Sequence, residues 1–380
     1  MSINNLIGYY SGKIDGNVDA NICNNSHLKI GQDPSHNFLK LNSNSIVSID
    51  IRCNDEIEYF PKLTNLKTLI CAYCENISEE DSESTIYSEN ASLNSLTFLE
   101  YLDISDNAQI ENLPKFLNLK TLICKNCPMI SQSSLSRLTN LQYLDISGND
   151  QIVDLGGLYR SNLTNLTTLI CNGCRNLSQK TLNSLTQLEH LEITGNLQIT
   201  HLSKLPNLKR LKYRNCPKLR GNILNPLTQL KYLDISKDQI TDLGGLYGSN
   251  LTNLKTLICK SCPNIFAETL NSLTQLEYLD ISDNAQILYL PKLPKLKTLI
   301  CEKCLTSICI KSSKLFQKTL NSLTQLEYLN ITWNDQITDL GGLYRSNLTN
   351  LKTLKCRQCP NLSAHSIMQL KGSGCVVIDK

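Results

Sequence analysis

Apolar residues recur along most of this chain in one fixed pattern. One copy contains Leu276, Leu279, Ile281 and Asn284, which are separated by three, two and three positions. The two-residue step from Leu279 to Ile281 predicts a very short strand that turns both side chains to one face and Asp280 to the other. Asn284 is predicted to turn the chain after the strand, and its side-chain amide to bond backbone groups inside the coil.

The same spacing occurs in fourteen copies, repeats 1 to 14. Their first apolar residues, taken as position 1, are Ile46, Leu66, Leu99, Leu119, Leu141, Leu166, Leu188, Leu208, Leu230, Leu254, Leu276, Leu296, Leu326 and Leu351. One turn of this kind cannot bury its own apolar face, so the copies must stack on one another. The pattern therefore predicts a solenoid that grows by adding turns.

The L-x-x-L-x-L-x-x-N spacing resembles the leucine-rich repeat family from about Ile46 to the C-terminus. The resemblance implies an α/β solenoid, a horseshoe with a parallel β-sheet on its concave face and short helices, 3₁₀ turns and loops on its convex face. The asparagine repeats, which have Asn at position 9 or, in repeat 9, Asp238, are similar to those of internalins and phosphatase regulators, as in LEYLDISDNAQI. Repeats with Cys at position 9, such as LKTLICKSCPNI, are similar to those of ubiquitin-ligase adaptor subunits. The abundance of Asn, Ile, Lys and Ser is similar to that of proteins from amoebae, giant viruses or intracellular bacteria.

The ends of the chain depart from the repeat. Residues 1–45 are predicted to form an irregular N-terminal cap on a solenoid that spans residues 46–380. An adaptor module such as an F-box is the alternative for residues 1–45, but glycines interrupt this stretch and it shows no helical period. The tail GSGCVVIDK is predicted to add a last strand that closes the C-terminal end.

The segments between strands vary in length. Ser178 is predicted to cap a short helix whose Leu182 faces the core. Two insertions break the spacing: an acidic one at 75–92 and a more basic and apolar one at 305–318. Both are predicted to be surface loops or lengthened helices, either as tolerated insertions or as loops that contact a partner.

Charge and hydropathy narrow the classes of partner. The net charge is +3 and charged residues make up 19% of the chain, a balance that favours neither nucleic acid nor an acidic membrane surface. No run of about 18 apolar residues and no signal peptide is found, which predicts a location in the cytoplasm or inside a host cell. The protein is also predicted to be a monomer. The seventeen cysteines are then predicted to be reduced thiols.

Six C-x-x-C pairs raise the question of zinc. They are Cys71/Cys74, Cys124/Cys127, Cys171/Cys174, Cys259/Cys262, Cys301/Cys304 and Cys356/Cys359. The first Cys stands where the other repeats have Ile, and pairs two turns apart are separated by about 10 Å, too far to share one ion. We therefore interpret the pairs as core packing and predict no metal and no cofactor; zinc and redox chemistry remain the alternatives.

Position 3 of the short strands carries the first group of candidate binding residues. In the asparagine repeats these are Tyr101, Tyr143, Tyr232, Tyr278 and Tyr328. Position 5 of the same repeats carries mostly Asp, while the cysteine repeats offer Thr and Ile at the two positions. Tyr is typical of protein interfaces, although good β-propensity copied by duplication explains the column equally well.

Two further features single out particular turns. The segment 208–220 is a basic turn in which four residues replace mostly uncharged ones: Lys209, Arg210, Lys212 and Arg214. It either binds an acidic partner segment or balances Glu192 and Asp234 on the neighbouring turns. Trp333 stands where other repeats have Asp or Gly, and an exposed Trp there would be a binding hot spot.

No catalytic motif accompanies these features. The sequence lacks a nucleophile elbow, a phosphate-binding loop and an H-E-x-x-H segment, so no enzymatic activity is predicted. The predicted function is a non-catalytic scaffold that binds an unidentified protein through the concave face. The alternative, a substrate-recognition subunit of a ubiquitin ligase, is implied only by the resemblance of the cysteine repeats.

Overall fold

The fold consists of two compact units, Met1–Ile130 and Ser131–Lys380. The computed structural model describes residues 27–29, 46–53, 60–61, 63–74, 77, 90–91, 93–155, 163–202, 204–219, 223–237, 251–304, 316, 318–320, 322–340 and 348–379. Every one of the fourteen repeats forms a strand at positions 3 to 5. The predicted solenoid of stacked turns is thus confirmed.

The described residues of the first unit contain seven strands. They are β1 (His27–Lys29), β2 (Ser48–Asp50), β3 (Phe60–Pro61), β4 (Thr68–Ile70), β5 (Asn90–Ala91), β6 (Tyr101–Asp103) and β7 (Thr121–Ile123). β1, β2, β4, β6 and β7 pair in parallel in that order. β3 and β5 form a separate antiparallel pair, so the end of the 75–92 insertion is a short strand, whereas a loop or helix was predicted.

The described residues of the second unit contain eleven further strands. They are β8 (Tyr143–Asp145), β9 (Thr168–Ile170), β10 (His190–Thr194), β11 (Arg210–Arg214), β12 (Tyr232–Asp234), β13 (Thr256–Ile258), β14 (Tyr278–Asp280), β15 (Thr298–Ile300), β16 (Tyr328–Asn330), β17 (Thr353–Lys355) and β18 (Val376–Ile378). Each pairs in parallel with the next along the chain. Equivalent repeat positions therefore lie side by side, as Tyr278 and Thr298 do.

Helices are short and lie between the strands. Among the described residues, the helices with defined bounds are α1 (Gln132–Leu135), α2 (Gln179–Ser184) and α3 (Ala364–Gly372), with 3₁₀ turns at Leu93–Ser95 and Ala267–Leu270; residues 316 and 318–320 are also helical. The predicted cap is confirmed, because Ser178 accepts a hydrogen bond from the Thr181 amide and Leu182 is buried. In the described part of the chain, no helix is long and apolar enough to cross a membrane.

Several predicted segments fall mostly outside the described residues. The cap at 1–45 is described only at β1, and the 305–318 insertion only at Phe316, which is buried, and Lys318. At the C-terminus, β18 pairs with β17 and is the last strand of the sheet.

The core of each turn is built from positions 1, 4 and 6. Leu276, Leu279 and Ile281 are fully buried. Each such side chain contributes roughly 2 kcal/mol through burial, but only because the neighbouring turns cover it.

Position 9 supplies the polar interior of the solenoid. The Asn284 side chain donates to the carbonyls of Cys259 (2.6 Å) and Ile281 (2.9 Å) and accepts from the Cys262 amide (2.7 Å). The Cys262 thiol in turn donates to the Ile235 carbonyl of the repeat before it, at 3.1 Å. Asn and Cys therefore alternate along a ladder that satisfies buried backbone groups, and the bonding predicted for Asn284 is confirmed.

The same bonds recur in other repeats. Asn107 and Asn334 donate to the carbonyls of Cys71 and Cys301. Thiol-to-isoleucine-carbonyl bonds of 3.0 to 3.1 Å are made by Cys74, Cys127, Cys174, Cys304 and Cys359. The second cysteine of a pair thus satisfies a buried backbone carbonyl, as the asparagine side chain does in the asparagine repeats.

Replacing Asn284 with Ala is expected to lower the free energy of unfolding by about 3 kcal/mol or more, since three buried backbone groups lose their partner. Urea denaturation followed by circular dichroism measures the change. Asn253→Ala is the control, because the exposed Asn253 side chain bonds only the Thr228 carbonyl. Equal effects of the two substitutions would contradict a structural role for the ladder.

Candidate functional site

The open face, defined as the side of the sheet to which positions 3 and 5 point, carries the tyrosine column. In the second unit Tyr143, Tyr232, Tyr278 and Tyr328 are each partly exposed. A threonine lies beside each of them on the next strand. The predicted alternation of Tyr and Thr is therefore the arrangement found, and the rings lie on a backbone that sheet pairing holds in place.

The aspartates at position 5 do not behave as the predicted outward stripe. Asp280 is only 1% exposed. Its carboxylate accepts from the amide (3.1 Å) and hydroxyl (2.8 Å) of Ser282 and pairs with Lys260 at 2.9 Å. Asp145 and Asp234 are buried in the same way by the serines two residues later. The recurring D-x-S segment is the signal that identifies these carboxylates as satisfied structural groups.

The lysines of the basic turn contact acids of the preceding repeat. The Lys209 Nζ lies 2.6 Å from a carboxylate oxygen of Glu189, and the Lys212 Nζ lies 3.5 Å from one of Glu192. Both pairs join adjacent strands, where opposite charges stabilise the sheet by a few tenths to about 1 kcal/mol. Their charge is thus largely balanced within the protein.

The arginines of the same turn contact the following repeat. The Arg210 guanidinium lies 3.5 Å from the centre of the Tyr232 ring, a cation–π contact. Arg214 pairs with Asp234 at 2.9 Å. All four basic residues therefore have a partner on a neighbouring strand. Of the two readings of the basic turn, these contacts favour charge balance.

Glu192 is the centre of this charge network. His190 on the same strand lies 3.2 Å from its carboxylate, and Lys212 approaches from the next. The hydrogen bond from His190 and the charge of Lys212 together lower the pKa of Glu192 to about 2, against the opposing effect of its burial. The ionised carboxylate is thus a structural charge and needs no external partner.

Position 8 holds a second column, at the end of the strands, that sequence reasoning missed. The backbone is left-handed there in all fourteen repeats, at Cys53, Tyr73, Asp106, Asn126, Gly148, Gly173, Gly195, Asn215, Lys237, Ser261, Asp283, Lys303, Trp333 and Gln358. Gly, Asn or Asp, which tolerate this conformation best, occupy seven of these positions. This enrichment is the sequence signal that indicates a left-handed position. The amide here donates to the next repeat, as from Trp333 to the Arg357 carbonyl at 2.9 Å.

Trp333 is the largest side chain in the position 8 column. Its φ is 63° and half of its surface is exposed. A left-handed conformation costs a bulky residue roughly 1–2 kcal/mol, which glycine at the same position avoids. The amine of Lys303, one repeat earlier, lies 6.0 Å from the centre of the indole ring. The predicted hot spot is thus half exposed, in a backbone conformation that disfavours it.

The cysteine pairs have the chemistry of a core. Burial raises the pKa of Cys71, Cys171 and Cys259 well above the ordinary value. It also raises the pKa of Cys174 to about 11. Nucleophilic attack requires the thiolate, and these raised pKa values disfavour that form near neutral pH. Within the residues described, no group of three or more His, Cys, Asp or Glu side chains is arranged to hold a metal ion.

Comparison with known proteins places this geometry in a class. A family model for leucine-rich repeats in two copies matches residues 117–160, and one for a single leucine-rich repeat matches residues 322–344. No curated protein matches the sequence. Together with the fourteen stacked turns, these matches show that the chain is a leucine-rich repeat protein.

Solved structures share the fold at low sequence identity. An internalin (inlF) from Listeria monocytogenes is 24% identical with a TM-score of 0.54, over 90% of this chain and 88% of that one. Mouse RP105, solved with MD-1, is 19% identical with a TM-score of 0.59, over 93% and 67%. TLR13, solved with ssRNA13, is 19% identical with a TM-score of 0.57, over 89% of this chain and 56% of that one. These similarities show the repeat fold alone.

The buried thiols are expected to react with Ellman's reagent about a hundredfold or more slowly in the native protein than in denaturant. Each reaction then requires a local opening that costs at least about 2.7 kcal/mol. The experiment uses a variant with Cys23→Ser, Cys53→Ser and Cys309→Ser, since Cys53 is exposed and the other two lie outside the described residues. Rapid labelling of many thiols without denaturant would contradict core burial.

The acid dependence of stability is expected to include a contribution from Glu192. Its folded-state pKa of about 2 lies below the ordinary value of 4.5, so the ionised carboxylate stabilises the fold above pH 4.5. This stabilisation is lost as the pH falls from 4.5 towards 2. Urea denaturation across that range should show a steeper loss of stability for the wild type than for Glu192→Gln.

The control for this prediction is Glu277→Gln. Glu277 pairs with the surface residue Lys255 and its side chain is 35% exposed, so solvent screens the interaction. We expect its acid profile to stay much closer to that of the wild type. Parallel profiles for wild type and Glu192→Gln would show that the His190 and Lys212 contacts do not stabilise the fold.

Proposed function

We propose that this protein is a non-catalytic scaffold that binds another protein through the open face. The observation that carries the proposal is the tyrosine column on β12, β14 and β16, whose rings are partly exposed on a rigid sheet. Tyr offers a large contact area for little loss of side-chain entropy, and it is enriched among binding hot spots.

The chemistry between the tyrosines supports this use. Thr256 and Thr298 stand between the three rings, and Ile258 and Ile300 fill position 5 of the same repeats. Because the neighbouring aspartates are satisfied internally, little buried charge has to be desolvated when a partner covers this face. The surface combines aromatic anchors with small or apolar neighbours, as the centre of a protein interface does.

The class of protein supports the same proposal. Leucine-rich repeat proteins are commonly interaction scaffolds and typically not enzymes, and RP105, one of the structural neighbours, was solved in a complex with MD-1. The cysteine repeats, which suggested a ubiquitin-ligase subunit, are explained by core packing and give that alternative no separate support. The identity of the partner and the compartment stay predictions.

Replacing Tyr232, Tyr278 and Tyr328 together with Ala is expected to abolish capture of the main partner from cells that express the protein. Quantitative mass spectrometry of affinity-purified complexes measures this, and each single substitution should raise the Kd of the purified partner about tenfold or more. Circular dichroism and urea denaturation check that the variant remains folded.

The matched control removes exposed apolar residues away from the strands. Phe266→Ala with Leu288→Ala is expected to keep the partner, since these side chains, 48% and 40% exposed, lie in the segments between strands. If the tyrosine variant keeps every partner that the wild type captures, the open face is not the binding surface.

A further inference from the structure

The repeats give an internal comparison, because a residue that departs from its equivalents in other turns marks a local requirement. Two regions of the second unit depart most: repeats 7 and 8, and repeats 13 and 14. In repeats 7 and 8 the departures compensate one another, since the basic turn pairs with the acids and the ring of adjacent strands. The basic side chains of that region are therefore already paired within the protein.

Repeats 13 and 14 depart without such compensation. Asn330 stands at position 5, where the other asparagine repeats carry Asp or Glu, so one negative charge is lost. Lys355 stands at position 5 of repeat 14, where the other cysteine repeats carry Ile except repeat 8, which carries the paired Lys212. Both changes make the open face more positive at this end.

Three cations converge on this end of the sheet. Lys355 and Arg357, at positions 5 and 7 of repeat 14, are on one side of Trp333, and Lys303 is on the other. Among the described residues, none of the three forms an ion pair with a carboxylate. Glu302, the acid that precedes Lys303 in the chain, bonds the side-chain amide of Asn330. The excess positive charge is therefore available to a ligand.

Aromatic rings accompany the cations. The Lys303 amine is 6.0 Å from the Trp333 ring centre, and the Lys355 amine is 5.8 Å from that of Tyr328. Trp333 adopts its left-handed conformation at a cost that Gly148, at the equivalent position, avoids. A strained and half-exposed aromatic residue does little for stability, and such strain is concentrated at functional sites.

We propose that Trp333, Lys303, Lys355 and Arg357 bind an acidic peptide segment of the partner protein. This inference rests on the proposed function, because it assigns a partner chemistry to one end of the same open face. Carboxylates of the segment would pair with the three cations while an apolar side chain covers the indole ring.

The charge pattern favours a peptide over a nucleic acid. Three cations beside one tryptophan match a short acidic stretch, whereas nucleic acids are held by a longer track of basic residues along the phosphates. The chain as a whole carries a net charge of only +3. Because TLR13 was solved with ssRNA13, a single-stranded oligonucleotide is included in the test as the competing ligand.

The full-length protein is used to select binders from a random short-peptide display library. We expect the enriched peptides to be rich in Asp and Glu, to bind less tightly as salt rises, and to change the emission of Trp333. Trp333 is the only tryptophan of the chain, so its fluorescence reports this site alone.

Charge-reversed variants locate the binding. Lys303→Glu and Arg357→Glu are each expected to raise the Kd of a fluorescently labelled enriched peptide about tenfold or more. The control variant, with Lys209 and Lys212 both changed to Ser, is expected to leave the Kd unchanged, because these lysines are already paired with Glu189 and Glu192.

A second measurement separates binding from folding. Trp333→Gly is expected to lose the peptide while its urea midpoint is no lower than that of the wild type, since glycine relieves the left-handed strain. A large fall in the midpoint would instead assign Trp333 a structural role and overturn the proposal.

The remaining outcomes are also decisive. Enriched peptides without excess acid, or a Kd unchanged by Lys303→Glu and Arg357→Glu, would falsify the acidic-peptide site. A further outcome is that the partner captured by the wild type is lost by the tyrosine variant but kept by Lys303→Glu and Arg357→Glu. In that case only this inference fails, and the scaffold proposal stands. Tighter binding of a mixed-sequence single-stranded oligonucleotide than of any peptide would replace the protein partner with nucleic acid.

Discussion

The structure depends on satisfying the backbone groups that each turn carries into its interior. A helix or a wide sheet satisfies these groups by its own regular bonds, but a turn with a three-residue strand cannot. Asn284 resolves this by donating to two carbonyls and accepting from an amide, and Cys262 by donating its thiol to the carbonyl of Ile235. The alternation of asparagine and cysteine repeats is a hydrogen-bonding device, and the apolar positions then stack around it.

The same stacking decides which surface charges are available. Residues at one position of successive turns lie side by side, so a charge on one strand meets whatever the next strand carries. Glu192 and Asp234 thereby neutralise much of the basic turn, whereas Lys303, Lys355 and Arg357 form no ion pair with a carboxylate among the described residues. The number of basic residues does not distinguish the basic turn from this second cluster. The difference lies in whether the adjacent strands carry a carboxylate that pairs with them.

Backbone geometry also restricts which residues suit the surface position 8. Position 8 is left-handed in every turn, and in most turns its amide donates to the next repeat. Half of the repeats fill it with Gly, Asn or Asp, which tolerate this conformation best, and a tryptophan there is retained against its conformational preference. Partly exposed Tyr rings, by contrast, suit a strand well, so the tyrosine column is compatible with both stability and binding. Of the two features, Trp333 is therefore the more specific indication of a binding role.

The sequence by itself determined the repeat period, the fourteen strands, the core positions and the interior role of Asn284, because all of these follow from spacing within one turn. The first cysteine of each C-x-x-C pair was likewise assigned to the core from the position it shares with isoleucine. Only the tertiary structure decided the contacts that each residue makes with the neighbouring turns. It buried Asp280 beneath Lys260, paired Arg214 with Asp234 and set the left-handed column that holds Trp333. These partners are about twenty or more residues apart, and their contacts exist only once the turns are stacked in register.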